Sequence, residues 1–156
     1  MRNLYKNLIE YSGISKYIPK GLNSYKEVDV ESIIKVKKDN IKIKEIVKVS
    51  TLSNIMSTRV IKTPVCESLE GQRLTGEKYV IEGELSIRVD YLSKEEVNRI
   101  YCLNHKEFFS SSIILHKDLI GGSTLIPSIF IETINGELLS EGEVLVINSI
   151  LATVEM

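Results

Sequence analysis

The chain has 156 residues, a mass of 17.6 kDa and a net charge of -1. That length is enough for one domain with a buried core. Hydrophobic residues make up 43% and charged residues 26%. This excludes a wholly disordered chain, a collagen-like chain and a multi-pass membrane protein. It also excludes the overall basic field that drives nucleic-acid binding.

Residues 4–11 place Leu4, Leu8, Ile9 and Tyr11 at helical spacing, with a stop signal at Gly13. They predict a short helix or a flexible arm. Pro19, Gly21 and Asn23 read as a linker, so residues 1–24 form an N-terminal arm and residues 25–156 a β domain. From Tyr25 the pattern is β-branched and alternating: Val28 and Val30, then Ile33, Ile34 and Val36. Asp39-Asn40 is a turn signal. Ile41 to Val49 fits a strand or a short helix, residues 55–61 a strand, and Thr63-Pro64 a break.

Residues 79–91 give the clearest signal. Tyr79, Ile81, Gly83, Leu85, Ile87, Val89 and Tyr91 share one face of a strand, and Val80, Glu82, Glu84, Ser86, Arg88 and Asp90 the other. Strict alternation predicts a long, half-buried strand of antiparallel type. Gly83 inside it points to a bulge or close packing. Residues 68–76 read as a polar connection between two hairpin strands, and residues 93–96 as a turn. Residues 99–103 and 110–116 predict two further strands, followed by a turn at Gly121-Gly122. Residues 126–134 and 143–154 complete the set, joined by the hairpin signal Asn135-Gly136. The expected fold is all-β: an antiparallel sandwich or open barrel of six to eight strands.

Charge is divided along the chain. Residues 1–63 carry 13 Lys/Arg against 6 Asp/Glu, a net +7; residues 64–156 carry 7 against 15, a net -8. Such halves can pair within one fold, attract a neighbouring copy, or meet an external anionic partner. The basic stretch from Lys35 to Lys48 interleaves lysine with Ile and Val, the pattern of a half-solvated strand. It lacks the Arg and stacking aromatics of a nucleic-acid site. No nucleic-acid partner, no membrane span and no secretory signal are expected.

Chemistry-bearing motifs are sparse. There is no phosphate loop, dinucleotide fingerprint or nucleophile elbow. Ser110, Ser111 and Ser112 read as surface serines of a strand. Cys102 and His105 have the spacing of half a zinc site, but the other candidate ligands, Cys66 and His116, are not paired in sequence. A catalytic Cys102–His105 dyad is disfavoured because odd spacing on a strand sends the two side chains to opposite faces. No catalytic residue, cofactor or metal site is expected. Cys66 and Cys102 are either reduced thiols or a candidate disulfide, within a chain or between chains.

Three stretches carry a family likeness: Ser57-Thr-Arg-Val-Ile-Lys-Thr-Pro-Val65, Ser68-Leu-Glu-Gly-Gln-Arg-Leu-Thr-Gly76 and Lys78-Tyr-Val-Ile-Glu-Gly-Glu-Leu85. Together they resemble the SipL/SPOCS domain of endospore-forming Firmicutes, especially clostridia. His105 to Leu115 is similar to a family stretch ending in Pro-Phe-Ser and an apolar run, with Phe108 where the family has its proline. The likeness covers residues 25–155. It implies a β-rich interaction module of spore coat assembly with no catalytic residues. In the family's namesake the domain accompanies a LysM domain and partners the coat scaffold ATPase SpoIVA, and these 156 residues leave no room for a LysM domain.

The expected function is therefore a non-enzymatic structural protein of the spore coat, exosporium or appendage, made in the mother-cell cytoplasm. Its expected partner is itself, through β-edges, the N-terminal arm and charge. The alternative is a monomeric or dimeric adaptor for another spore coat protein. A glycan-binding version is weakened by the absence of Trp.

Overall fold

The computed structural model describes residues 8–37, 41–67, 69, 71–96, 98–121 and 124–156. Among these the chain forms seven strands: β1 (Glu10–Ser12), β2 (Tyr25–Lys35), β3 (Ile43–Glu67), β4 (Arg73–Ser93), β5 (Ile100–Ile114), β6 (Ile126–Ser140) and β7 (Glu143–Glu155). One sheet has the order β1-β3-β4-β5 and the other β2-β7-β6. Every pairing is antiparallel except that of β1 with β3. The expected all-β sandwich is what the chain adopts.

The alternation in β4 translates directly into burial. Tyr79, Ile81, Leu85, Ile87, Val89 and Tyr91 are buried, and their odd-face neighbours on β5, Phe109 and Ile113, join them. Of these, Leu85, Ile87, Val89, Tyr91 and Phe109 pack against Val30 and Ile34 of β2, Ile131 and Ile134 of β6, and Val144, Val146 and Ile150 of β7. A second cluster at one end gathers Tyr79, Ile81, Ile113, Leu115, Ala152 and Val154. Removing this apolar surface from water, at about 25 cal/mol per Å², is what holds the two sheets together.

Several sequence expectations are corrected. The N-terminal segment is not helical where it is described: Glu10–Ser12 is a strand that runs parallel to Lys48, Val49 and Ser50 of β3. Leu4 lies outside the described residues. Backbone pairing along β3 outweighs the helical spacing, and Ile9 and Tyr11 pack on the core. The arm then staples the two sheets. The Ser15 N–H donates to the Ile131 carbonyl (2.9 Å), the Ile131 N–H donates to Ser15 Oγ (2.9 Å), and the Gly136 N–H donates to the Tyr11 hydroxyl (3.0 Å).

That last contact explains a second correction. Asn135-Gly136 is not a turn; β6 runs through it to Ser140, and Glu141-Gly142 makes the turn into β7. Gly136 is needed for space, since a Cβ there would lie 2.9 Å from Cγ2 of Val49 and 3.9 Å from the Tyr11 hydroxyl. Residues 43–61 and Thr63-Pro64 likewise belong to one strand, with Ile41 just before it. β3 absorbs its irregularities as register shifts, at Ile43/Glu45, Ile46/Lys48, Ile55/Ser57 and Lys62/Val65. Pro64 sits in the last of these, where a missing N–H is tolerated. The two strands expected over 99–103 and 110–116 fuse into the single strand β5, Ile100–Ile114. The expected turn at Asp39-Asn40 lies outside the described residues.

Asn148 is a buried exception in the core. Its side chain is fully enclosed, and neither Oδ1 nor Nδ2 has a partner. A buried polar group without hydrogen bonds costs about 1–3 kcal/mol. Asn148→Leu, close in size, is expected to raise stability by about 1–2 kcal/mol in urea titration.

Candidate assembly site

β3 is 25 residues long, and β1 covers its outer edge only from Lys48 to Ser50. From Leu52 onward, no described strand pairs with that edge. On its other side β3 stays paired with β4 out to Glu67, opposite Arg73. β5 reaches along β4 only to Ile114, opposite Lys78. So the end of the β3–β4 hairpin is a two-stranded ribbon beyond the third strand. It is held at its root by the Leu115 N–H to Glu77 carbonyl bond (3.1 Å) and by a Thr75 hydroxyl bond to the Leu115 carbonyl.

An isolated two-stranded ribbon is marginal in water. The open-edged part of β3 that leads into it, and the ribbon itself, expose apolar side chains on both faces. Val60 lies opposite Tyr79 and Ile61 opposite Lys78, so neighbouring residues of β3 point to opposite faces, and both are exposed. Leu52 is 72% exposed, Met56 57% and Val65 79%, and Leu69 in the connecting turn is fully exposed.

Two cations of β3 pair with carboxylates of β4. Nη1 of Arg59 donates to Glu82 at 2.6 Å and the Ser57 hydroxyl adds a bond at 3.1 Å. Those bonds, Arg59 first, hold the Glu82 carboxyl below its ordinary pKa. Lys62 donates to Glu77 at 2.6 Å, and that bond is the largest cause of the lowered pKa of Glu77. Glu67 faces Arg73 across the strands. Proteins commonly guard sheet edges with unpaired charge, bulges and proline. Here bulges stand at Ile55/Ser57 and Lys62/Val65, with Pro64 in the second. Between them, residues 57–62 form a regular, electrically balanced window of open edge.

The structure places the cysteines far apart. Both are exposed and free. Cys66 pairs with Leu74 near the ribbon tip, and Cys102 pairs with Asp90 near the other end of β4. At about 3.3 Å per residue the separation along β4 is roughly 50 Å. A disulfide needs Cα atoms within about 7 Å, so Cys66 and Cys102 of one chain cannot bond. Of the expected alternatives, reduced thiols and a bond between chains remain.

The histidines are also apart. His105 points to the inner side of β5, 3.2 Å from Glu107, while Cys102 faces outward, so the two form no dyad. The His116 N–H donates to Ser24 Oγ at 2.7 Å, next to a 3-10 turn over Lys117–Leu119. Among the described residues no three His, Cys, Asp or Glu side chains converge to hold a metal. Of the serine run, Ser110 is exposed but Ser111 is buried without a partner, which differs from the surface role expected of it. No helix among the described residues is long and apolar enough to cross a membrane.

The sequence missed the open edge because it broke β3 at Thr63-Pro64. A usable signal was present: Val60, Ile61 and Val65 straddle the proline without the polar cluster that marks a true turn. No family model, curated protein or solved structure matches this chain.

Proposed function

We propose that this chain is a non-enzymatic structural subunit of the bacterial spore envelope that assembles with its own copies through the open edge of β3. One observation carries the assembly: residues 57–62 form an outer sheet edge with which no described strand pairs, and Val60 and Ile61 are exposed there. A strand added there satisfies backbone donors and acceptors and covers apolar surface in one step. The spore setting rests on the resemblance of residues 57–65, 68–76 and 78–85 to the SipL/SPOCS domain, and these residues are the β3–β4 hairpin itself.

The cysteines suit the same reading. With Cys66 and Cys102 at opposite ends, a bond between copies joins them head to tail, a contact that propagates instead of closing. The alternative is an adaptor whose β3 edge adds a strand of another coat protein.

Sedimentation velocity over a range of protein concentration separates the two. A self-assembling subunit shifts to large species as concentration rises. Val60→Lys with Ile61→Lys, both at exposed positions, is expected to keep the fold and lower the assembled fraction at least about tenfold, because desolvating two charges at a strand pairing costs more than about 1.4 kcal/mol. Wild-type protein that stays monomeric at every concentration favours the adaptor.

A further inference from the structure

A cleft of about 780 Å³ lies between the sheets where the end of β2 faces the start of β5. Its size falls in the range of ligand sites. Its walls are unusual. β2 is an outer strand of one sheet and β5 an outer strand of the other, so each wall is a strand edge. The floor is apolar: Ile34, Val36, Ile41 and Leu103. The rim is cationic: Lys35 and Lys37 on one side and Lys106 on the other. Lys106 has one neighbour of opposite sign, Glu84 at 3.8 Å on the outer face of β4. Among the described residues no Asp or Glu lines the cleft. One end is set by the stacked rings of Tyr91 and Tyr101, 5.8 Å apart, with the Arg99 guanidinium 4.9 Å from the Tyr101 ring centre.

We propose that this cleft binds an extended acidic segment of another protein, added as a strand to the edge of β5. The side-chain pattern of the ligand follows from strand geometry. Successive residues of a strand point to opposite faces. One set meets the floor, beside Ile34 and Leu103. The other set meets the rim, beside Lys35, Lys37 and Lys106. The matching ligand alternates apolar and carboxylate residues. The wall formed by residues 33–37 is about 16 Å long, which sets the length at about five residues.

A second copy of this chain does not supply this segment: the stretch with that alternation, Glu27-Val-Asp-Val-Glu31 of β2, keeps Val28 and Val30 in its own core. The chain's first seven residues carry Arg2 and Lys6 and no acid. Its exposed glutamates at the nearby turns are already engaged. Glu95 accepts from the Lys42 N–H at 3.0 Å and from Ser93, Glu96 pairs with Arg99 at 3.1 Å, and Glu141 pairs with Lys94. The charge complement therefore comes from a partner protein. The site is separate from the β3 edge, but Cys102 belongs to its lining, so a bond from a neighbour's Cys66 would compete with the ligand.

Fluorescence anisotropy with a dye-labelled Glu-Val-Glu-Val-Glu peptide tests this on the full chain carrying Val60→Lys and Ile61→Lys, so that assembly does not interfere. Saturable binding is expected, weakened at least tenfold by Lys35→Glu with Lys37→Glu, and separately by Lys106→Glu. A Lys-Val-Lys-Val-Lys probe is expected not to bind, and N-methylation of alternate backbone amides is expected to abolish binding. Far-UV circular dichroism verifies that the exposed lysine variants fold. No saturable binding up to about 1 mM, equal binding of the lysine probe, or indifference to the lysine variants or to N-methylation overturns the proposal. So does loss of wild-type self-assembly on Lys35→Glu with Lys37→Glu, which assigns the cleft to a second copy.

Discussion

Gly83→Val is expected to destabilise the protein by about 3 kcal/mol, the upper end of what overpacking a close-packed interior costs. Gly83 lies on the buried face of β4, opposite Ile55 on β3 and Phe109 on β5. A Cβ there would stand 2.6 Å from Cζ of Phe109 and 2.7 Å from the Asn54 carbonyl oxygen. Neither obstacle yields easily. Phe109 is itself buried in the main cluster, and Asn54 is backbone paired across the strands at Glu84. Phe109→Ala alone is expected to cost about 3–4 kcal/mol through the cavity it leaves. The double variant is expected to lose less than the sum, because valine at 83 then fills part of that cavity. Urea denaturation of the two single variants and the double variant measures this, and strict additivity would show that Gly83 and Phe109 do not share space.

Gly13→Ala is expected to detach the N-terminal staple, at a cost of about 2–3 kcal/mol. Gly13 has φ +110°, a conformation L-residues rarely adopt, and its Cβ would fall 2.0 Å from the Thr51 carbonyl oxygen. The segment has to leave β3 to relieve that overlap. With it go the β1 pairing at Lys48–Ser50 and the bonds from Ser15 and Tyr11 to β6. Each hydrogen bond is worth about 0.5–1.5 kcal/mol net, and the burial of Ile9 and Tyr11 adds to it. Hydrogen exchange should report the change at the Gly136 and Ile131 amides, which lose their acceptors while the β4 amides stay protected. Detachment also lengthens the open edge of β3 back to Lys48. The variant is therefore expected to assemble at lower protein concentration than wild type, whereas weaker assembly would make the staple a part of the interface.

The fold was legible where one rule acted alone. Residues 79–91 alternate strictly, and their burial alternates with them except at Val80, which is buried like its neighbours. Misreadings arose where local chemistry met a tertiary demand. Asn135-Gly136 has hairpin composition, but the glycine is there so that Val49 and Tyr11 can approach the backbone. The helical spacing of residues 8–11 loses to pairing with β3, a partner almost forty residues away. Proline at 64 reads as a break, yet a bulge takes it into the strand. The candidate site was legible only in its ingredients. The exposed Val60 and Ile61 belong to a recognisable strand, but that its edge is open depends on β1 stopping at Ser12. That is the length of another element, which residues 57–62 do not encode. Opposed charge between the chain halves does resolve partly into pairs within the fold, such as Lys62 with Glu77 and Arg59 with Glu82. The cationic cleft of Lys35, Lys37 and Lys106 draws on both halves, so no count along the chain isolates it.

The central claim is that copies of this chain join through the β3 edge. Negative-stain electron microscopy of the purified protein, with and without reductant, beside the Val60→Lys/Ile61→Lys variant, tests it most directly. Regular filaments or sheets are expected for the wild type, looser or shorter ones with reductant if a bond between Cys66 and Cys102 locks neighbours, and only small dispersed particles for the variant. Dispersed particles from the wild type under every condition, or assemblies that the two lysines leave intact, would contradict it.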